Sequence, residues 1–448
     1  MYLVISILVL IVSAYLFNKY GASLKLSELN FSTYVFFYEL VGESFIASLL
    51  VVYNIDNHYI ISTRVGHDAR IFGWGAVQWS MIGIGIGLLL GRFVTHEKKS
   101  NQKFRSYTQA LMITFSGNYE FCIRVALIAL SCLSILATLY YSVQIGGISL
   151  FRVLKNPALM FSSLRGDITR NFAGIEYIKN VFSITLSPIL SYIWSAYKTR
   201  RSTFSNRCWA TVMLFNAIIA LTNNLAKSPV FYFLIRYLVL YVLINSSIKR
   251  KYIYMAGILV IGGMVAVYLF LLDIPFESLF RINSGIMGRI LLSQSAGTYC
   301  SFEWFPAAHE HLGFTSFPEW LSVLFGLEHS ERSARICMEI FNPKGIAEGT
   351  AGVMNSLFIA EAWANWGAIG VMVSPLIVGI FMHVLFFSLI KLPKHPVMIG
   401  FITYFSTALP ITGGINDFIY PMSTVIIIIM LYLLFYMADF IKTAIRRK

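Results

Sequence analysis

Basic side chains are frequent between residues 146 and 179, where they could hold a phosphate. The segment contains FRVLKNPALMFSSLRGDITRN, and its cations outnumber its acids, Asp167 and Glu176. Arginine suits an anion because its planar guanidinium donates two hydrogen bonds to phosphate oxygens. The segment is therefore either an ordinary solvated loop or an anion site at the membrane surface. In the second case Arg165 and Arg170 are the best candidates.

A second cationic motif is NNLAKSPVFYFLIRYLVLYVLIN. We predict that Lys227–Pro229 forms an outer turn that opens a helix, because proline fits a first turn and free N–H groups there favour an anion. Lys227 adds a full positive charge at the same place. Arg236 lies roughly 14 Å further along this helix, at about 1.5 Å per residue. A charge at that depth needs a partner or a function, and a structural ion pair with Glu39 or Glu43 is the favoured interpretation.

The third motif, LFRINSGIMGRILLSQSAGTYCSFEWFPAAHEHLGF, combines cations, aromatic rings and histidines. We predict a helix that carries Arg281 and Arg289 broadly on one face, with glycines between them that leave room for a ligand. Aromatic rings such as Tyr299 suit a sugar site, because rings stack on the apolar faces of sugars. His309 and His311 follow, without a third ligand for a metal. The alternative is an amphipathic helix that packs the loop on the membrane, with exposed histidines.

Glu361 and Asn365 bring polar groups into the apolar stretch GVMNSLFIAEAWANWGAIGV. Their spacing places them on one face of a helix. A carboxylate at membrane level is a functional candidate by default. A helix–helix hydrogen bond is the alternative.

Apolar segments that must cross a membrane separate these motifs. Of the 448 residues, 57% are hydrophobic and only 12% are charged. Stretches near 20 residues long recur with few charges, and as helices each spans roughly 30 Å of hydrocarbon. We predict an all-α polytopic integral membrane protein, in one domain over residues 1–448, with about eleven spans (about 10–13) and a further half-helix near 349–366. The predicted spans are 2–17, 31–53, 71–92, 121–144, 177–197, 208–225, 230–247, 252–272, 367–390, 397–412 and 418–440.

The net charge of +14 follows the predicted topology. Lysine and arginine concentrate in alternate connections, and the positive-inside rule places these connections and the C-terminus in the cytoplasm. The other connections then face outward, including a first loop at 146–176 and a large loop or cap at 273–350. The basic pI therefore requires no nucleic acid. The predicted cytoplasmic cations are Lys98, Lys99, Lys103, Arg105, Lys198, Arg200, Arg201, Arg207, Lys249, Arg250, Lys251, Lys391, Lys394 and those of residues 442–448.

Several signatures of soluble enzymes are absent from the sequence. It contains no G-x-x-x-x-G-K-[ST] loop, no H-E-x-x-H, no C-x-x-C and no D-x-D pair for a metal-bound nucleotide sugar. Gly83, Gly87 and Gly91 recur every four residues inside a span, a spacing that lets helices approach closely. Cys300 and Cys337 both lie in the large outer loop, where a disulfide is chemically permitted.

Four motifs follow one another along the chain: the basic outer loop, the N-x-x-K-S turn, the R-I…G-R-I…G-x-Y…P…H segment and the E-A-W-A-N-W-G-x-I-G helix. In this order they resemble the Wzy-type O-antigen polymerases. E-A-W-A-N-W-G is the most specific of these motifs. The resemblance implies a GT-C-like fold and a metal-independent glycosyltransferase of the bacterial inner membrane, without cofactor. Such an enzyme polymerises undecaprenyl-diphosphate-linked repeat units on the periplasmic side and releases undecaprenyl diphosphate. The resemblance also suggests a chain-length regulator as a partner, besides the membrane lipid.

The reaction implied by the resemblance needs cations at the departing diphosphate and a base at the acceptor hydroxyl. We expect His309, His311 or Glu361 to act as the base. Two related functions remain as alternatives, a lipid-linked oligosaccharide flippase and an O-antigen ligase. The candidates for binding the diphosphate or the sugars are Arg165, Arg170, Lys227, Arg281, Arg289, Tyr299 and Asn365.

Overall fold

A computed structural model describes residues 1–155, 168, 172–270, 275–281, 285–348 and 351–446. All regular secondary structure in these ranges is helical. The chain forms two compact units, each assembled from separate stretches of sequence. The first unit contains Met1–Phe104, Lys249–Ser388 and Leu409–Tyr420, and the second contains Arg105–Ile248, Leu389–Ala408 and Pro421–Lys448.

The first half of the chain forms mostly long helices. They are α1 (Tyr2–Tyr20), α2 (Phe31–Val52, with a π-helical segment at Tyr34–Phe45), α3 (Ile61–Arg64), α4 (His67–Thr95), α5 (Ser100–Gln109), α6 (Gly117–Gln144), α7 (Ser149–Lys155), α8 (π-helical Ile178–Thr185 continued by Leu186–Arg200) and α9 (Phe204–Thr222).

Short helices dominate the part of the chain predicted as the large outer loop. The remaining helices are α10 (Lys227–Asn245), α11 (Arg250–Phe270), α12 (Phe276–Leu279), α13 (Gly285–Leu291), α14 (Ala296–Trp304), α15 (Glu319–Leu324), α16 (Ser333–Phe341), α17 (Pro343–Ala347), α18 (Ile359–Ile390), α19 (Pro396–Phe405), α20 (Asn416–Ile419) and α21 (Met422–Arg446).

The polytopic membrane character predicted from composition is confirmed. Among the described residues, 8 helices are long and apolar enough to cross a membrane, and each overlaps a predicted span. The other predicted spans, at 177–197, 252–272 and 397–412, correspond to the helices α8, α11 and α19. The total of about eleven spans, the GT-C-like fold and the side of the C-terminus stay predictions.

Close helix packing in the first unit explains the glycine spacing of α4. A Cβ atom at Gly87 would lie 2.5 Å from the carbonyl oxygen of Leu376 and 2.8 Å from the Cα of Gly379. At Gly83 it would lie 2.6 Å from Pro375, and at Gly91 it would lie 2.7 Å from His383. Without side chains the α4 and α18 backbones meet directly, so the packing interpretation is confirmed.

A buried ion pair ties the segment between α2 and α4 together. The guanidinium of Arg70 donates to Asp56 at 2.7 Å and to the carbonyl oxygens of Val51, Ile61 and Val65. Each of the three nitrogens of this buried cation therefore donates within the first unit, which indicates a structural role.

Arg236 has partners within the second unit. It donates to the hydroxyl of Thr407 at 2.7 Å and to the carbonyl oxygen of Thr407 at 3.2 Å, and its guanidinium lies 4.2 Å from the ring centre of Tyr404. Glu39 and Glu43 belong to the other unit, so their predicted ion pair with Arg236 stays a prediction.

Candidate functional site

The motif E-A-W-A-N-W-G contains a short helical segment, and its glycine, Gly367, interrupts α18 before the long apolar part of that helix. Gly367, inside α18, has φ of 57° and ψ of −138°, a conformation outside the helical region. Positive φ strains residues that carry a Cβ, which explains the glycine at this place. The break leaves a half-helix of residues 359–366 ahead of the long apolar part of α18. The half-helix predicted near 349–366 is therefore shorter than expected, because residues 351–358 are not helical.

The loop after α14 docks on this half-helix through backbone hydrogen bonds. The carbonyl oxygens of Ala364 and Asn365 accept from the N–H groups of Leu312 and Gly313, each at 2.9 Å. A helix that breaks leaves the carbonyl groups of its last turn without helical donors, and these bonds supply them. The predicted outer loop and the E-A-W-A-N-W-G motif therefore form one structural element.

The carboxylate of Glu361 is buried and binds Arg332, the residue just before α16. The Nε of Arg332 donates to Oε1 of Glu361 at 2.6 Å, and a terminal nitrogen donates to Oε2 at 2.9 Å. The backbone N–H of Asn416 also donates to Oε2, at 3.0 Å. Both oxygens of Glu361 are thus occupied, which favours a role in orienting Arg332 over the predicted role of general base.

Asp417 completes the charged part of the site. It accepts from the same guanidinium at 3.2 and 3.4 Å, and its side chain is 50% exposed where that of Glu361 is 3% exposed. Burial alone lowers the pKa of Arg332, but the hydrogen bond and charge of Glu361, followed by those of Asp417, raise the pKa above its ordinary value. Arg332 is therefore a charged side chain with short hydrogen bonds to the buried Glu361 and longer ones to the exposed Asp417.

Gly414 allows this approach of charged groups. A Cβ at Gly414 would overlap both the guanidinium of Arg332 and the carboxylate of Glu361. The turn between α19 and α20 therefore needs a residue without a side chain at this position, because any larger one would displace the ion pair.

Amide groups extend the network from Glu361 along the half-helix. Asn365 accepts from the hydroxyl of Ser316 at 2.9 Å and donates to the side chain of Asn416 at 3.2 Å. Asn416 donates in turn to the carbonyl oxygen of Ser316 at 3.1 Å. Glu361 and Asn365, paired in sequence by their spacing, thus join the outer loop to Asn416, the first residue of α20.

An aromatic group lies beside the charged residues. The ring of Trp366 is 5.6 Å from that of Phe314 and 6.3 Å from that of Phe317, whose ring is 5.0 Å from that of Tyr420. Phe314 is 49% exposed. Flat rings next to a cation and a carboxylate are the combination that suits a sugar bearing a phosphate.

The two predicted histidines differ in their surroundings. Nδ1 of His309 contacts the carbonyl oxygen of the next residue at 2.8 Å, and the side chain is exposed. His311 is also exposed, yet its Nδ1 lies 3.3 Å from the carbonyl oxygen of Ala364 and its ring packs edge-on against Trp363. Only His311 therefore contacts the half-helix.

The predicted sugar-stacking role of Tyr299 conflicts with its position. The ring is fully buried and packs where Gly73 leaves space in α4; a Cβ at Gly73 would lie 2.5 Å from it. Phe302 likewise stacks on Trp363 inside the unit, at 4.9 Å between ring centres. These rings fill the core of the first unit, whereas the ring of Phe314 beside the half-helix is exposed.

The predicted helix carrying both Arg281 and Arg289 is wrong. Helix α13 begins at Gly285, whose φ is 62°, and Arg281 precedes it. Both arginines are exposed, but they do not share a helix face. Glycine with positive φ ends the regular spacing on which the prediction depended.

Other predicted residues are partly or wholly outside the described part of the chain. Arg165 and Arg170 lie outside the described residues, and for Lys227 only the backbone is described. Helix α10 begins at Lys227, so Lys227–Pro229 form the first turn of this helix. Cys300 and Cys337 are both buried and carry free thiols, on the helices α14 and α16.

Arg332 was not a candidate in the sequence. It stands in HSERSAR, where ordinary surface charges are dense, and its partner Glu361 is 29 residues away. The available signal was Glu361 itself, because a carboxylate at membrane level requires a compensating cation.

No protein-family model, no curated protein sequence and no solved structure matches this chain. The resemblance to O-antigen polymerases consequently depends on the quoted motifs.

Proposed function

We propose that this protein polymerises undecaprenyl-diphosphate-linked oligosaccharide repeat units into O-antigen or a related surface polysaccharide, on the periplasmic side of the bacterial inner membrane. The observation that supports this most is the binding of Arg332 by Glu361 of the E-A-W-A-N-W-G motif. The most specific motif of the family resemblance is thus the one whose glutamate fixes a cation, and its Trp366 packs against the exposed ring of Phe314.

In the proposed reaction the bond between the anomeric carbon and the lipid diphosphate breaks, and a bond to the acceptor hydroxyl oxygen forms. The diphosphate leaves with the bonding electrons, so a fixed cation stabilises the transition state. Arg332 suits this role, because Glu361 holds one edge of its guanidinium through short hydrogen bonds. The longer contacts to the exposed Asp417 can be replaced by phosphate oxygens.

The proton of the acceptor hydroxyl must go to a base near the same place. Both oxygens of Glu361 already accept hydrogen bonds. Asp417 and His311 are exposed and adjoin Arg332 and the half-helix, respectively. We therefore propose these two side chains as the candidates for the base, ahead of Glu361 and of His309.

The exposed ring of Phe314, with Trp366 and Tyr420 behind it, is the proposed contact for a sugar of the donor or acceptor. Stacking on such rings is tolerant of sugar identity but requires an apolar sugar face. Loss of one ring should therefore weaken substrate binding more than it slows the bond-making step.

A flippase or an O-antigen ligase acts on the same lipid-linked material. A flippase built from two comparable halves would form each unit from one half of the sequence, whereas both units here combine separate stretches of the chain. This favours the polymerase over the flippase, and the ligase is distinguished only by experiment.

The test is the gel profile of surface polysaccharide from a strain that lacks this gene, with and without a plasmid copy. We expect lipid A-core bearing a single repeat in the deletion strain and a restored ladder of long chains with the plasmid. Bare core without any repeat would contradict the proposal and indicate a flippase or a ligase.

A further inference from the structure

The second unit contains a cavity of about 700 Å³ at the ends of three helices. It lies where α6 begins, α8 ends and α9 begins. Pockets that bind small molecules have volumes of roughly 300–1,000 Å³, so this one is large enough for a ligand. None of the residues considered above as catalytic or substrate-binding lines it.

One wall of the cavity is apolar. Phe121, Val125 and Ile128 line it at successive spacings of four and three residues, so they share one face of α6. Phe121 is 59% exposed, although it lies in a helix that is long and apolar enough to cross a membrane. This wall therefore offers a strip of hydrocarbon that runs along a membrane helix.

Three cations also line the cavity. Arg124 lies on α6 between Phe121 and Val125, and Arg200 and Arg201 lie where α8 ends. Arg124 donates to the side-chain oxygen of Asn206 at 2.7 Å, and Arg200 and Arg201 are exposed. Within the described part of the second unit, none of these guanidinium groups forms an ion pair with a carboxylate.

The acidic residue at the cavity, Glu120, is engaged elsewhere. Its oxygens accept from the hydroxyl of Tyr197 at 2.8 Å, from the backbone N–H of Phe115 at 3.1 Å and contact the ring nitrogen of His395 at 3.0 Å. Glu120 therefore does not neutralise the arginines through direct contact, and the cavity keeps an excess of positive charge.

A cavity lined by both an apolar strip and a cluster of arginines matches an amphiphile with an anionic head. Arginine binds phosphate oxygens with paired hydrogen bonds, and basic pockets between membrane helices at the cytoplasmic surface favour anionic lipid head groups. Arg200 and Arg201 belong to the connection that the positive-inside rule assigns to the cytoplasm. We propose that this cavity binds an anionic phospholipid, with its phosphate at Arg124, Arg200 and Arg201 and an acyl chain along Phe121, Val125 and Ile128.

A bound lipid of this kind contacts the ends of α6, α8 and α9 at once. A ligand that binds the folded protein but not the unfolded chain raises the free energy of unfolding. The increase grows with the logarithm of the ratio of ligand concentration to dissociation constant. The lipid thus stabilises the second unit, and membranes richer in anionic lipid support a larger folded fraction. This effect does not depend on the proposed polymerase activity.

The test measures binding of phosphatidylglycerol to the full-length protein in neutral detergent, by native mass spectrometry and by the shift in thermal unfolding temperature. Phosphatidylcholine and inorganic phosphate serve as the comparison ligands. We expect phosphatidylglycerol to bind at least about tenfold more tightly than phosphatidylcholine, since each basic residue near an anionic head group contributes to affinity. Binding should weaken at high salt.

Two variants locate the site. R200Q/R201Q should lower phosphatidylglycerol affinity by about 10- to 30-fold, while the charge-matched control K198Q/R207Q, outside the cavity, should leave it unchanged. Val125→Trp, which fills the apolar wall without a change of charge, should also abolish the lipid-dependent stabilisation. Equal losses in both charge variants, equal affinity for the two lipids, or full competition by inorganic phosphate would each overturn the proposal.

Discussion

The carboxylate of Glu361 binds the guanidinium of Arg332 at two points, with nitrogen–oxygen distances of 2.6 and 2.9 Å. The glutamate is 3% exposed and the arginine is 37% exposed. The buried carboxylate therefore fixes the orientation of a partly exposed cation. The predictions below follow from this pair and from the backbone around it.

Under the proposed function, Arg332→Ala should abolish long polysaccharide chains. Loss of one fixed donor to developing negative charge costs about 10²–10³ in rate, and Arg332→Lys should recover only part of it because lysine cannot bind two oxygens in one plane. The measurement is the ladder on a gel, together with the rate of repeat-unit transfer by purified protein. Arg335→Ala is the matched control, since Arg335 lies three residues after Arg332 and pairs with the exposed Glu339, four residues further along α16. Equal loss in both variants would contradict a specific role for Arg332.

Glu361→Gln should lower both stability and activity, because it leaves Arg332 without its buried counter-charge. We expect a loss of about 2 kcal/mol in the free energy of unfolding, the low end for a broken buried pair, since Arg332 is partly exposed. The double variant R332A/E361A should lose less free energy of unfolding than the sum of the losses in R332A and E361A. Thermal unfolding in detergent checks this, with Glu339→Gln as the control, whose surface pair should contribute less than about 1 kcal/mol. Strictly additive losses would indicate that the pair is not coupled.

Gly367→Ala should disrupt the half-helix that carries Glu361. A Cβ there is strained at a φ of 57°, and it would lie 2.8 Å from Nε2 of His311. Such strain costs about 1–3 kcal/mol. His311→Ala removes the steric overlap but not the backbone strain, so H311A/G367A should recover part of the lost stability. If the double variant is no more stable than G367A, the overlap with His311 contributes nothing.

Gly87→Ala should destabilise the first unit by forcing α4 and α18 apart. Overpacking of this kind costs about 1–3 kcal/mol. Gly75, in the same helix, has no atom within 4 Å of its would-be Cβ, so Gly75→Ala should be neutral or stabilise by up to about 1 kcal/mol through helix propensity. The unfolding temperatures of the two variants in detergent provide the comparison. A Gly87→Ala protein as stable as Gly75→Ala would show that the helices can separate without cost.

Stability should rise with pH through the titration of Lys394, which lies between α18 and α19. Burial lowers the pKa of Lys394 to about 8, while its ammonium donates to the carbonyl oxygens of Thr108 and Ala110 at 2.7 and 2.8 Å. The unfolded chain keeps this proton to about pH 10.4. Because the unfolded state then binds more protons, the free energy of unfolding increases between these pH values. The measurement is the thermal unfolding temperature at about pH 7.5 and at about pH 9.5. We expect Lys394→Met to lack the increase seen in the unmodified protein. The same increase in both proteins would refute the assignment.

The membrane architecture could be predicted from the sequence because it follows from local composition. Long apolar stretches have to be helices in lipid, and the spacing of Gly83, Gly87 and Gly91 predicts a close helix contact without knowledge of the partner. Likewise, Glu361 and Asn365 were correctly placed on one helix, because their spacing of four residues is a local feature.

The tertiary structure alone decided which polar groups meet. Arg332 pairs with Glu361 from 29 residues before it, and Asp417, in α20, pairs with Arg332. No local pattern marks such distant partners. Residue type also gave no measure of burial: Tyr299 fills the space left by Gly73, whereas Phe314 is exposed beside Trp366. Periodicity predicts the face of one helix, but the neighbours of that face depend on how the whole chain packs.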